Sequence, residues 1–169
     1  DALNGLHLSS SESSHLQTMN FMGMVSGWGK NQFGQLGDGN HEALDFIGLP
    51  FSSVRRFPNR AFEGALAIEP FVELHGAGSY SIGRDRVGRV WTWGSAHGQL
   101  GLLGTGSAYD DPLPGIVPIN EPIIDIAAGS TSVLALSSDG ARIWGWGNVT
   151  LSDDSSDQTD WAALPATLN

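Results

Sequence analysis

The chain has 169 residues, no cysteine, 23 glycines and a formal net charge of −10 from 8 basic and 18 acidic side chains. Lack of cysteine excludes disulfides and thiolate metal sites, and so few cations argue against a nucleic-acid or anionic-membrane surface, which needs them clustered. No apolar run reaches the roughly 18 residues of a membrane span and no signal-peptide pattern opens the chain, so a protein of the cytoplasm or nucleus is expected. Residue 1 is Asp, and a processed product or a piece of a longer chain is expected on that ground.

In chain order the first elements are weak. Asp1-Ala2-Leu3-Asn4-Gly5 and Leu6-His7-Leu8-Ser9-Ser10 echo residues 125–129 and 134–138 further on. Residues 9–22 are serine-rich and polar at their start, and read as a surface insertion that lengthens the first unit by ten residues. A short apolar strand follows and ends in Trp28-Gly29, and after it comes the tetrad Gly34-Gln35-Leu36-Gly37. Residues 55–67 read as a second insertion.

From residue 69 the pattern sharpens. Glu69-Pro70-Phe71-Val72-Glu73-Leu74 recurs 52 residues later as Glu121-Pro122-Ile123-Ile124-Asp125-Ile126. Each copy runs on through small residues and a turn, at Gly88 or Gly140, into a strand with two tryptophans: Trp91 and Trp93 before Gly94, Trp144 and Trp146 before Gly147. Residues 71–74, 90–93, 123–127 and 143–146 read as strands, and 115–119 as an outer strand. Residues 133–136 are apolar at every position and predict a strand buried on both faces. The period of two places the two indoles of a strand on one face. Gly98-Gln99-Leu100-Gly101 follows the second Trp-Gly pair, whereas the third leads into an aspartate-rich stretch at 153–160.

Trp28, Trp93 and Trp146 are thus spaced by 65 and 53 residues. With no helix-length amphipathic stretch, this predicts an all-β chain made of copies of one antiparallel, four-stranded unit. The expected division is 1–58 for a first, incomplete repeat carrying the insertion at 9–22, 59–68 for a linker, 69–119 for a second repeat, and 120–169 for a third that degenerates at its aspartate-rich end. A buried indole removes about 150–250 Å² from water, on the order of 4–6 kcal/mol, so the tryptophans are expected to wedge one unit against the next. The glycines beside them supply positive φ or close backbone approach.

The compound of glycine turn, Trp-Gly strand and Gly-Gln-Leu-Gly loop resembles the regulator of chromosome condensation repeat, over nearly the whole chain. The resemblance implies a β-propeller of four-stranded blades, seven in a complete ring, of which this chain supplies about three as an open arc. It also implies that Trp28, Gly29, Gly34, Gln35, Leu36, Gly37, Trp91, Trp93, Gly94, Gly98, Gln99, Leu100, Gly101, Gly140, Trp144, Trp146 and Gly147 are scaffold positions. The third unit departs by lacking the tetrad, and the second by having Asp85-Arg86-Val87-Gly88 in place of Asp-Gly.

Catalytic patterns are missing from the sequence. His7, His15, His41, His75 and His97 do not pair at metal-ligand spacing. Ser79 and Ser81 fail the Gly-x-Ser-x-Gly pattern, residues 101–106 lack the lysine of a phosphate loop, and the aspartates of 153–160 miss calcium-loop spacing. No cofactor, metal or catalytic residue is assigned. Six of the eight cations form two groups, Arg55, Arg56 and Arg60 in the insertion, and Arg84, Arg86 and Arg89 about a hairpin. With His97 they are candidate contacts for a protein partner, weighed against ordinary solvated loop charge.

The expected function is a non-enzymatic protein-interaction module that recruits a partner or substrate. By the resemblance the partner is a ubiquitin-ligase substrate or a small GTPase, and the alternative is a guanine-nucleotide exchange factor for a Ran-type GTPase. An open arc also exposes faces that call for the remaining blades or for self-association.

Overall fold

The computed structural model describes residues 15–19, 25–41, 55–56, 69–97, 101–148 and 161–168. Among these the chain forms three antiparallel sheets and no helix. The first holds β1 (His15–Met19), β2 (Val25–Gly29) and β3 (Arg55–Arg56). The second orders β4 (Phe71–Ala77), β5 (Tyr80–Asp85), β6 (Val90–Gly94) and β7 (Asp111–Ile116) in sequence. The third does the same with β8 (Ile123–Ala128), β9 (Ser132–Ser137), β10 (Ile143–Asn148) and β11 (Trp161–Leu168).

Hairpin geometry explains the second and third sheets. Asp85 N–H bonds Arg89 O at 2.9 Å and Gly88 N–H bonds Asp85 O at 3.0 Å, which turns β5 into β6 with Gly88 at φ 87°. Ser137, Arg142 and Gly140 repeat that turn in the third sheet with one residue more. Asp85 and Ser137 are therefore the same position. Pro112 and Pro114 are tolerated because β7 is an edge strand.

The sheets meet through two apolar clusters. Between the first and second sheets lie Val25, Phe71, Leu74, Trp91 and Trp93, with the Phe71 and Trp93 rings 6.0 Å apart. Between the second and third, Tyr80, Ile82, Val90, Leu102, Leu103, Ile123, Val133 and Trp146 belong to a larger buried cluster.

Four expectations need correction. Residues 15–19, placed in the serine-rich insertion, are β1, paired residue for residue with β2 from His15↔Gly29 to Met19↔Val25. His15 and Gln17 are each only 2% exposed; His15 Nε2 meets Ser81 Oγ across the seam and Gln17 Nε2 donates to the Gln35 carbonyl of its own unit, which composition does not reveal. Leu16 stands opposite Trp28 as Ser81 does opposite Trp93 and Val133 opposite Trp146, so the strand sits at its normal distance and the extra ten residues do not separate it from Trp28. Arg55 and Arg56, assigned to an insertion, pair with Gly27 and Ser26 as β3.

The outer strand placed at 115–119 runs from Asp111 to Ile116, because the 105–110 turn delivers the chain to Gly94 first. Finally, β9 is not buried on both faces. Val133 and Ala135 are buried, but Leu134 is 40% exposed, beside Ile143 at 45%. By register these occupy the places of Ile82 and Val90, which the second sheet buries under the third. Nothing among the described residues covers the third sheet's outer face.

Candidate functional site

The repeated tryptophans donate to one kind of acceptor. Trp93 Nε1 bonds the Gln35 carbonyl at 3.0 Å, and Trp146 Nε1 bonds the Leu102 carbonyl at 3.1 Å. Each acceptor lies in a turn of the preceding unit: Gly37 N–H bonds Gly34 O at 2.9 Å, and Gly104 N–H bonds Gly101 O at 2.8 Å. The four turn glycines share φ between 63° and 78°. The counterpart of Gly34-Gln35-Leu36-Gly37 is therefore Gly101-Leu102-Leu103-Gly104. That corrects the pairing with Gly98-Gln99-Leu100-Gly101 by three residues; positions 98–100 lie outside the described residues. What the turn must supply is a backbone carbonyl and two left-handed glycines, so the glutamine is replaceable and the sequence match misled.

The Gln35 carbonyl also accepts from Ser81 Oγ at 2.8 Å and Gln17 Nε2 at 3.2 Å, while His15 Nε2 lies 2.8 Å from Ser81 Oγ. A serine beside a histidine invites a nucleophile-base reading. Ser81 is fully buried and already donates to Gln35, so no substrate reaches it. Burial lowers the pKa of His15 to about 4.

The hairpin cations are held within their own sheet or its leading segment. Arg84 Nε bonds Glu73 Oε2 at 2.8 Å, Arg86 bonds Glu69 at 2.7 Å, and Arg89 Nε bonds Asp85 Oδ2 at 2.7 Å while its guanidinium lies 5.3 Å from the Trp91 ring centre. Burial alone would raise the Glu73 carboxyl, but hydrogen bonds from His75, Arg84 and the Ile126 N–H outweigh it and hold its pKa below the ordinary value. The three arginines do not converge on one surface. Arg55 and Arg56 lie in β3, and Arg60 lies outside the described residues.

A substitution pattern links the second and third sheets. The Asp85 carboxylate accepts from Trp91 Nε1 at 3.0 Å as well as from Arg89. At the equivalent position stands Ser137, and Glu121 instead reaches in from ahead of β8 to accept from Trp144 Nε1 at 2.6 Å and from Arg142. The carboxylate is kept although its source in the chain has moved.

With those groups absorbed by packing, the features that remain among the described residues are the turns that follow the first two Trp-Gly pairs. Asn31 organises the first: its Oδ1 accepts from Leu36 N–H at 2.9 Å and its Nδ2 donates to Asp38 and Asn40. In the second, Asp110 Oδ1 accepts from Ala96 N–H at 2.8 Å. The first turn is tied to β7, the strand that follows the second turn, by Gly39 N–H to Pro112 O at 2.9 Å. From this braced end Tyr109 projects, 82% exposed, and exposed His97 stands nearby in sequence at φ 53°. Sequence reasoning named His97 as a candidate contact and did not name Tyr109, whose only signal is an aromatic residue in a run of small and acidic ones. Among the described residues no three His, Asp or Glu side chains group to hold a metal ion, and no helix is long and apolar enough to cross a membrane.

Residues 87–136 match the Regulator of chromosome condensation (RCC1) repeat. The chain is 27% identical over 129 residues to the RCC1 domain-containing protein RUG3, mitochondrial, of Arabidopsis thaliana, which covers 75% of this chain and 25% of that protein. It is 29% identical over 128 residues to the human E3 ubiquitin-protein ligase HERC2, covering 75% of this chain and 2% of that one. It thus spans a quarter or less of these relatives. Among solved structures, human WBSCR16 aligns with a TM-score of 0.70 at 22% identity, over 92% of this chain and 37% of its own. Prp20p of Saccharomyces cerevisiae, described with its binding to Gsp1p and histones, aligns with a TM-score of 0.69 at 19% identity, over 96% of this chain and 38% of its own. Among the described residues the fold is that of three β-propeller blades in an open arc.

Proposed function

We propose that this chain, which carries the regulator of chromosome condensation repeat, is a non-enzymatic protein-binding arc whose braced loop end, around Tyr109, holds the partner. The observation that supports this most is the division of labour among its polar residues. Histidine, serine and the hairpin arginines are engaged in seams and hairpins, while Tyr109 stands 82% exposed on a turn fixed by Asp110. A rigid aromatic on a braced loop presents a large contact area at little ordering cost, which is what a binding anchor needs. The open face of the third sheet is a second contact surface, suited to a further blade or to another copy of the chain. Recruitment of a ubiquitin-ligase substrate is the partner class that the likeness to HERC2 favours.

The test is quantitative capture from cell extract with the wild-type chain and with Tyr109→Ser as baits. Loss of specific proteins from the variant, at unchanged melting temperature, supports the reading. Identical capture by both baits contradicts it.

A second reading is nucleotide exchange on a small GTPase, favoured by the likeness to Prp20p, whose structure was described with binding to Gsp1p. Catalysed nucleotide release from a Ran-type GTPase at substoichiometric protein would establish that reading and displace the first.

A further inference from the structure

The face that the second sheet turns toward the third has an aliphatic half, Ile82 and Val90, and a polar half. In the polar half Tyr80 OH donates to Gly129 O at 2.7 Å and Glu73 Oε1 accepts the Ile126 N–H at 3.3 Å. Thr92 Oγ1 donates to Leu103 O and so fixes the turn whose Leu102 carbonyl receives Trp146. Strand register names the counterparts on the third sheet. Leu134 and Ile143 keep the aliphatic half. Ser132 stands in the place of Tyr80, Gly145 in that of Thr92 and Asp125 in that of Glu73. The phenol and the threonine hydroxyl are gone, and the carboxylate is one methylene shorter. Two ionisable neighbours have turned apolar as well, Ala127 for His75 and Leu136 for Arg84.

What remains is a contiguous apolar patch. Leu136 pairs with both Asp125 and Ile143, and Leu134 pairs with Ala127, so these side chains are cross-strand neighbours. Ile124, the extra residue of the bulge between Ile123 and Asp125, is exposed beside them. Ile124 is 47% exposed, Leu134 40% and Ile143 45%. Asp125 is the only ionisable residue of β8, β9, β10 and β11.

We propose that this face is a self-association surface, on which two copies of the chain pack third sheet against third sheet about a two-fold axis. The proposal rests on the reading of the face as a contact surface and names its occupant. A further blade needs the directed polar ties that the second seam uses, and those are the positions that have changed. A two-fold pairing needs none of them; it needs a self-complementary apolar surface with charge depleted from its centre.

Area and charge set the character of the dimer. Four strands of six to eight residues make a patch about 20 Å square. Side-chain relief raises the area each copy buries to about 500 Å², so the pair buries about 1,000 Å², the lower bound of a specific interface. The dimer is therefore reversible, with a dissociation constant on the order of 10 µM. Each copy brings a net charge of −10, so screening by salt tightens this dimer, where a charge-complementary one would loosen.

Sedimentation velocity on the 169-residue chain, between about 5 and 200 µM, tests this. The wild type is expected to pass from monomer to dimer over that range, and at lower concentration when salt rises from about 50 to 500 mM. Leu134→Asp places a carboxylate in the patch twice per dimer and is expected to weaken association about 100-fold. Asp125→Asn is expected to strengthen it. Because the chain has no cysteine, Leu134→Cys and Leu136→Cys report the two-fold. Oxidation is expected to link copies through at least one of them, and not through Val87→Cys, whose position is 51% exposed.

A wild type that stays monomeric, a dimer indifferent to Leu134→Asp, or a dimer that salt dissociates overturns the proposal. If Leu134→Asp does not fold, the salt series, Asp125→Asn and the cysteines decide. A monomeric chain whose Leu134→Asp variant loses proteins captured from extract refutes the second copy alone, whereas unchanged capture refutes the face as a contact surface. Neither result bears on Tyr109, which its own variant tests.

Discussion

Gly104 has no side chain where Trp146 needs the room: a Cβ at position 104 would sit 2.6 Å from the indole Nε1. The same glycine holds φ at 66°, so it serves both the turn and the wedge. Gly104→Ala is expected to lower stability by about 2–4 kcal/mol, from left-handed strain plus overpacking. Urea denaturation at neutral pH measures it, and a loss under about 0.5 kcal/mol would show that the indole does not need this glycine.

The two indole–carbonyl bonds should differ in worth. The Gln35 carbonyl keeps Ser81 and Gln17 as donors when Trp93 loses its N–H, whereas Leu102 loses the donor that Trp146 supplies. Trp146→Phe is therefore expected to cost about 1–2 kcal/mol more than Trp93→Phe through the orphaned carbonyl. Equal losses in parallel urea melts would count against the bonding scheme.

Asp85 and Glu121 do the same job at different exposure. Asp85→Ala takes a fully buried carboxylate from Trp91 and from Arg89, whose side chain is 23% exposed, and is expected to cost about 3–5 kcal/mol. Glu121→Ala releases Arg142, whose side chain is 51% exposed, so solvent replaces part of what is lost and the cost falls to about 1–2 kcal/mol. Thermal and urea melts of the two variants rank them, and the reverse order would contradict the equivalence.

Alkaline stability follows from Tyr80. Burial holds its phenol well above the ordinary value of 10, so the folded chain keeps a proton that the unfolded chain releases. Its contribution is complete below pH 10 and is lost as pH rises above 10 toward the folded value. Tyr80→Phe is expected to be about 1 kcal/mol less stable at pH 8, from the lost bond to Gly129, with a shallower decline between pH 10 and 11.5. An equal alkaline slope for both proteins would rule this out.

Much of the scaffold was legible because it repeats. The Trp-Gly strands, the Glu-Pro blocks at 69 and 121 and the glycine turns carry periodicity, and periodicity survives in a single sequence. Features defined by spatial convergence were not legible. His15-Leu16-Gln17-Thr18-Met19 has the composition of a loop and forms a strand in which His15 meets Ser81 of the next sheet and Gln17 donates to the Gln35 carbonyl. The second carbonyl turn was misplaced by three residues because the motif letters favoured Gly98-Gln99-Leu100-Gly101, whereas the bond from Trp146 needs only the backbone of Leu102. Tyr109 carries no motif at all; its standing as a candidate anchor comes from exposure on a fixed turn.

The reading of the loop end as the binding surface is tested most directly by site-specific photocrosslinking. A benzophenone amino acid is placed at Tyr109 and, in a separate protein, at Val87, which is 51% exposed at the opposite end of β6. Discrete partner adducts from position 109 and none from position 87 are the predicted result. Adducts from position 87 alone, or none from position 109, would contradict it.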